Sequence, residues 1–309
     1  MNYVFVINPV AGKGNQANNI VHQIHSFFER RKDTIHVYLS KCAGDAIRFG
    51  REFPIAKKEE VCFVACGGDG TFFEVVNGAF GRPGASFAVY PCGSGNDFIK
   101  TTGGTQEDYL DLNKLVNGEI KIFDVIDVNG NICSNICNIG MDSIACDKAN
   151  GYNNLPFVSG PMAYNLSVFV TLCGYIFKKG SFPMKITFDD GEVLDGHFML
   201  SVFGNGQVYG GGYHPVPNAK LDDGFMDFCS VNETSVARFS KFIGTYKAGN
   251  HYNNPNFADL LTMRRCISAH IESPVELTVC TDGEIFKSKT VKLRVIPASL
   301  PFRLPAFDL

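Results

Sequence analysis

The sequence predicts a two-domain protein: an N-terminal α/β domain with a parallel sheet and helices on both faces, followed by an antiparallel β-rich domain. Three observations carry this. The first hundred residues alternate short apolar runs with segments of helical periodicity, the pattern of a parallel sheet. After about residue 120 strand-like runs follow one another, with fewer helical segments between them. At 309 residues the chain is long enough for roughly two domains of ~150 residues. The boundary is placed near residue 121, giving 1–121 and 122–309, with a return of the last residues to the first domain left open.

The elements follow in order. YVFVIN at 3–8 reads as a buried strand, and 15–31 as a helix with Ile20, Val21, Ile24, Phe27 and Phe28 on one face. IHVYLS at 35–40 is a second strand and GDAIRFGREF, from Gly44, a second helix. VCFVAC at 61–66, a helix from Thr71 (TFFEVVNGAF) and SFAVYP at 86–91 complete the alternation. In the second half, IKIFDVIDVNGNICSNICNIG reads as paired strands around an Asn129-Gly130 turn. MKITFDDGEVLDGHFMLSVFG, GFMDFCSV, CISAHIE, VELTVCTDGEIF and VKLRVIP are further strand-like runs, interrupted by helical segments near 161–177 and 235–248.

Composition excludes several classes. Apolar residues at 45% and charged residues at 19% suit a packed globular protein. A formal charge of −3 gives no reason to expect nucleic acid as a partner. None of the eleven cysteines forms a C-x-x-C pair, and Cys62/Cys66 and Cys133/Cys137 lie within strand-like runs. Reduced, mostly buried thiols in a cytoplasmic setting are therefore expected. The sequence opens on a strand pattern with no cationic leader. The longest apolar window, NLSVFVTLCGYIF at 165–177, falls short of the ~20 residues of a spanning helix. It reads as a buried helix or a membrane-surface helix, so no transmembrane segment is expected.

Three strand ends of the first domain carry glycine-rich turns: NPVAGKG at 8–14, GGDGT at 67–71 and PCGSGND at 91–97. Glycine lets a ligand approach the peptide plane, and a helix start presents unpaired N–H groups to an anion. Three such loops along one sheet edge form a plausible polyphosphate cradle, although no Walker loop is present. Lys13 reads either as a phosphate contact or as a solvated loop residue. Asp69 beside a phosphate site points to magnesium handling or proton transfer, with a turn aspartate as the plainer alternative. Thr71-x-x-Glu74 has the spacing of a capping box. The glycines of GNGQVYGGG at 204–212 lie in the β-rich half and read as an irregular loop, not a dinucleotide fingerprint.

NPVAGKG, GGDGTFFEVVNG and PCGSGNDF, in this order, resemble the diacylglycerol kinase catalytic domain, a family that includes bacterial lipid kinases and the sphingosine and ceramide kinases. PNAKLDDGFMDF at 217–228 and VCTDGEIF at 279–286 look like its two C-terminal motifs. GGDGT alone is shared with NAD kinases and phosphofructokinases; the combination is specific. The resemblance implies a diacylglycerol-kinase-like α/β domain, a C-terminal β-sandwich, and ATP bound in the cleft beside the first domain. It implies nucleotide contacts at Asn8, Pro9, Val10, Ala11 and Gly12, at Ser40, at Gly67, Gly68, Asp69, Gly70, Thr71 and Glu74, and at Ser94. Ser40 and Ser94 stand where relatives often carry Thr, and both keep the hydroxyl. Asp69, Asp124 and Glu284 would form the acidic catalytic set, with Asp282 an alternative to Glu284 as base. The Asp223 side chain with the carbonyls of Lys220 and Phe225 would bind a structural Mg²⁺.

The implied activity is ATP-dependent phosphorylation of a lipid hydroxyl, diacylglycerol or a relative, by a protein visiting the membrane surface. Lys178 and Lys179 are candidate docking charges, and a homodimer is implied as well. A kinase for a soluble substrate such as NAD and a silent nucleotide-binding regulator are the alternatives. GSGNDF and KLDDG argue against the former, and the three acidic residues against the latter.

Overall fold

The computed structural model describes residues 1–12, 16–152, 180–252 and 254–307, together with Ser167 and Val170. It divides into two compact units, Met1–Phe123 with Ala298–Leu309, and Asp124–Pro297. Lys13 and all of the 165–177 window except Ser167 and Val170 lie outside the described residues, as do Lys178 and Lys179.

In the first unit, strands β1 (Asn2–Ile7), β2 (Thr34–Leu39), β3 (Val61–Gly67) and β4 (Ala85–Pro91) pair in parallel in the order β4-β3-β1-β2. Tyr3 lies beside Ile35 and Cys62, and Phe63 beside Phe87. β1, β3 and β4 are buried along their whole length, as strands covered on both faces must be. Period-two alternation sorts their side chains. Tyr3, Phe5, Ile7, Cys62, Val64 and Cys66 pack against Ile20, Ile24 and Phe28 of α1 (Ala17–Phe28) and Leu112 and Leu115 of α6 (Leu112–Asn117). The alternate residue Phe63 faces the other way, its ring 5.6 Å from that of Phe53, which follows α2 (Asp45–Glu52). α3 (Asp69–Ala79), α4 (Asp97–Thr102) and α5 (Gln106–Leu110) complete the helices described in this unit. The returning tail is integral: Phe302 pairs in parallel with Phe87 and meets the rings of Phe72, Phe98 and Phe123 at 5.1–5.9 Å between centroids.

The second unit is antiparallel. β5 (Ile120–Val128) enters it and turns at Asn129-Gly130, both with positive φ, into β6 (Asn131–Cys133). β7 (Ile136–Gly140), β8 (Phe182–Phe188), β9 (Val193–Gly204), β10 (Met226–Asn232), β11 (Leu261–Cys266), β12 (Ser268–Thr281) and β13 (Glu284–Arg303) follow. The order β11-β10-β9-β7-β12-β13 holds them, with β8 pairing both β9 and β12. β13 carries the chain back to the first unit. One core centres on Phe203, Phe228, Ile271 and Val279. A second lies under α8 (Val236–Lys247), where Phe239, Phe242 and Tyr246 pack on Val202 and Cys229. α7 (Met141–Tyr152) follows β7 directly.

Candidate active site

The glycine loops of the first unit converge because they leave parallel neighbours at the same ends. The Asn8 N–H donates to the Cys66 carbonyl at 3.0 Å, and the Ser40 N–H to that of Ile7 at 2.9 Å. Cys92 and Gly93 N–H groups both donate to the Gly67 carbonyl, at 2.9 and 3.2 Å. Bare backbones make the contacts: a Cβ on Gly93 would stand 2.3 Å from the Gly68 Cα, and one on Gly12 2.6 Å from the Cys92 carbonyl oxygen. No side chain fits at either place. Asn8 organises the first loop, accepting the Val10 N–H at 3.1 Å and reaching the Thr71 hydroxyl at 3.4 Å. Val10 is left 77% exposed and Ser94 is exposed in the third loop. The residues predicted for nucleotide contact in the three glycine loops are thereby gathered at the carboxyl ends of β1, β3 and β4, where parallel sheets bind ligands.

The helix start at this loop and the bonding of Glu74 differ from the sequence expectation. The helix begins at Asp69 with Gly68 as its N-cap, two residues before the expected Thr71. Thr71 is therefore inside the first turn, and the Thr71–Glu74 capping box does not form. The Glu74 carboxylate instead accepts the N–H groups of Gly44 (2.8 Å) and Ala46 (3.1 Å), closing the start of α2. Asp69 Oδ1 accepts the N–H groups of Asp97 (2.7 Å) and Phe98 (3.4 Å), binding the GGDGT loop to the first turn of α4. Asn96 escaped the sequence reading of the site: it sits at φ 49°, sends its amide to the Gly93 carbonyl at 2.9 Å, and keeps a buried Oδ1 without a hydrogen-bond donor. The signal was an asparagine following Gly-Ser-Gly, one of the few residues that tolerates a left-handed backbone.

In the second unit, Asp124 is buried at the start of the domain. Its Oδ2 accepts the Gly224 N–H at 2.7 Å and its own N–H donates to the Leu221 carbonyl at 2.6 Å. The buried strand aspartate thus fastens the KLDDG loop. Asp127, on the opposite face of β5, accepts the Gly130 N–H at 2.7 Å and serves the turn. Within KLDDG, Asp223 uses both carboxylate oxygens. Oδ1 accepts the Phe225 N–H at 3.2 Å, and Oδ2 is ion-paired with the Arg265 guanidinium. Among the described residues no group of three His, Cys, Asp or Glu side chains could hold a metal ion. With its carboxylate already facing a cation, the Lys220–Asp223–Phe225 set as arranged does not fit the structural Mg²⁺ that the resemblance implies.

The DGE turn separates its two acids. Asp282 and Gly283, at φ 50° and 95°, link β12 to β13. The Asp282 carboxylate takes the N–H groups of Ser134, Asn135 and Ile136 (2.7–3.0 Å), the Ser134 hydroxyl (2.9 Å) and the Cys133 thiol (3.2 Å). Burial raises its pKa, while these donors pull the other way. A carboxylate committed to that nest anchors the turn. Glu284 is exposed at the first position of β13, opposite Thr281. Sequence reading also passed over Asp142, the buried second residue of α7, which accepts the Tyr209 hydroxyl at 3.1 Å and the Ser143 N–H at 3.0 Å. Burial pushes its pKa up to about 7, against those donors.

Two family models match the chain: the diacylglycerol kinase catalytic domain over residues 2–128, and the YegS C-terminal NAD kinase beta sandwich-like domain over 135–303. A diacylglycerol kinase of Bacillus subtilis is 26% identical over 285 residues, covering 90% of this chain and 88% of its own. A Pseudomonas aeruginosa protein named "Probable lipid kinase YegS-like" is 31% identical over 244 residues, 79% of this chain and 76% of its own. A crystal structure of a diacylglycerol kinase from Bacillus anthracis superimposes with a TM-score of 0.69 at 25% identity, covering 97% of this chain and 96% of that one.

Proposed function

Because the chain belongs to the diacylglycerol kinase family of lipid kinases, we propose that it transfers the γ-phosphoryl group of ATP to the hydroxyl of diacylglycerol or a closely related lipid, giving a phospholipid such as phosphatidic acid. The observation that carries this reading is the meeting of the three glycine loops at Gly12, Gly68 and Gly93, where backbone amides without side chains suit a polyphosphate.

Each residue then has a role. Asn8 to Gly12, Ser40, Gly67 to Thr71 and Ser94 bind the nucleotide, and Glu74 supports them by fixing the start of α2. Magnesium carried with ATP would spread the phosphate charge, and Asp69 is the carboxylate assigned to hold it. Glu284 takes the proton of the lipid hydroxyl as its oxygen bonds to the γ-phosphorus and ADP leaves. Asp124, on β5, holds the KLDDG loop through the Gly224 N–H and is the third member of the acidic set. No helix among the described residues is long and apolar enough to cross a membrane, and a lipid acceptor requires the protein to visit a membrane surface from the cytoplasm.

The test is incubation with γ-labelled ATP, Mg²⁺ and a panel of diacylglycerol, ceramide, sphingosine, undecaprenol and NAD in detergent micelles. Label in diacylglycerol or another lipid supports the reading. Label in NADP would replace it with a soluble-substrate kinase, and none anywhere with a silent binder.

A further inference from the structure

Arg265 lies directly opposite Asp227 in the β10–β11 pairing, and its guanidinium touches three neighbours. It is ion-paired with the Asp223 carboxylate, lies 3.8 Å from Asp227 Oδ2 through Nε, and stacks 4.4 Å from the centre of the Phe225 ring. Asp227 Oδ2 is buried and has no hydrogen-bond donor. Between Asp223 and Phe225 is Gly224, whose N–H is held by Asp124. The contacts form one chain: Arg265 to Asp223, through the Asp223–Phe225 turn, to Asp124.

We propose that Arg265 is the resident cation of the KLDDG loop: its guanidinium orders Asp223 to Phe225, and through Gly224 the Asp124 carboxylate, so that the loop needs no structural metal. The chemistry supports this. A guanidinium is permanently charged, planar and able to serve two carboxylates and an aromatic face at once. A divalent ion on Asp223 would compete with it for the same oxygens. Arg265 is a positioning residue, acting through Asp223 and not on the substrate. The consequence for turnover rests on the kinase reading above; the clamp itself does not, and it is measured without turnover.

The experiment is Mn²⁺ binding, followed by electron paramagnetic resonance without nucleotide, on the full chain and on Arg265→Gln, Arg265→Lys and Asp223→Asn. The expected result is no Asp223-dependent ion in the wild type and a new site in Arg265→Gln, at least tenfold tighter than any wild-type binding. Arg265→Lys, which keeps the charge, should remain closed to the ion. In the lipid assay Arg265→Gln should lose at least tenfold in kcat with KM for ATP little changed, and Arg265→Lys should recover part of the loss. If Arg265→Gln does not fold, wild type against Asp223→Asn decides alone: equal Mn²⁺ binding supports the clamp. Mn²⁺ bound by the wild type and lost in Asp223→Asn overturns it, as does an Arg265→Gln protein indistinguishable from wild type in metal binding and kcat.

Discussion

Asp69 Oδ1 accepts the backbone N–H of Asp97 at 2.7 Å, so the loop after β3 holds the helix that follows β4. A carboxylate at a helix start satisfies orphan N–H groups and opposes the positive end of the peptide dipoles. Asp69 therefore has a structural duty besides the chemical one proposed for it. The two separate by substitution. Asp69→Asn keeps an acceptor oxygen but loses the charge, so it should melt within a few degrees of wild type while kcat falls at least ~100-fold, as for other charge-stabilising groups. Asp69→Ala should in addition lose about 1–2 kcal/mol, the usual worth of such a cap. Denaturant titration beside the kinase assay reads both; full activity in Asp69→Asn would remove the residue from the mechanism.

The neighbouring acids of the DGE turn should separate in the same way. Glu284→Gln, exposed and at a strand end, should leave stability unchanged and remove ~10²–10⁴-fold of kcat, the range for a general base. Asp282→Asn should instead destabilise the protein by about 2–3 kcal/mol, because an amide NH₂ must replace one acceptor facing a buried set of donors. Equal melting points for the two variants would contradict the assignment of Asp282 as anchor.

Contact between Gly68 and Gly93 makes a sharp prediction for the nucleotide loops. In Gly93→Ala the new methyl meets backbone, 2.3 Å from the Gly68 Cα, and no side chain can swing aside. The loops must part, at a cost of about 1–3 kcal/mol for a forced contact of this kind. Affinity for ATP should fall at least tenfold in a fluorescent-nucleotide titration. Unchanged affinity would show that the loops do not meet around the nucleotide.

Asp142 predicts a pH dependence with a definite sign. Its folded-state pKa is raised by burial to about 7, well above that of an unfolded-chain aspartate. Between about pH 4 and pH 7 the native state holds a proton that the unfolded state has lost. This contribution is fully present below pH 4 and disappears as pH rises to 7, with a slope of up to roughly 1.4 kcal/mol per pH unit. Asp142→Asn retains an acceptor for the Tyr209 hydroxyl and should flatten that slope. Denaturant midpoints of both proteins from pH 4.5 to 8 measure the difference; parallel curves would contradict it.

The features that could be read from the sequence are those with local signals. Buried apolar runs placed β1, β3 and β4, and Asn129-Gly130 announced the β5–β6 hairpin. The glycine loops were visible because their composition is unusual at strand ends. What escaped depends on distant partners. Glu74 has the spacing of a capping box, yet Gly68 starts the helix earlier and the carboxylate turns to α2, a competition between local and tertiary hydrogen bonds. Asp282 and Glu284 are near neighbours with similar chemistry, and only the amides of Ser134 to Ile136, some 150 residues away, distinguish them. Arg265 carried no motif, and its importance comes from facing Asp227 across a strand pair and reaching Asp223 in the loop before β10.

The central claim is phosphoryl transfer to a lipid hydroxyl with Glu284 as base. A single-turnover reaction, enzyme in excess over γ-labelled ATP and diacylglycerol in mixed micelles, tests it most directly. The account predicts label in organic-extractable phosphatidic acid with the wild type, and a rate at least ~100-fold lower with Glu284→Gln although that variant still binds ATP. Label released only as inorganic phosphate, or lipid labelled equally fast by both proteins, would contradict it.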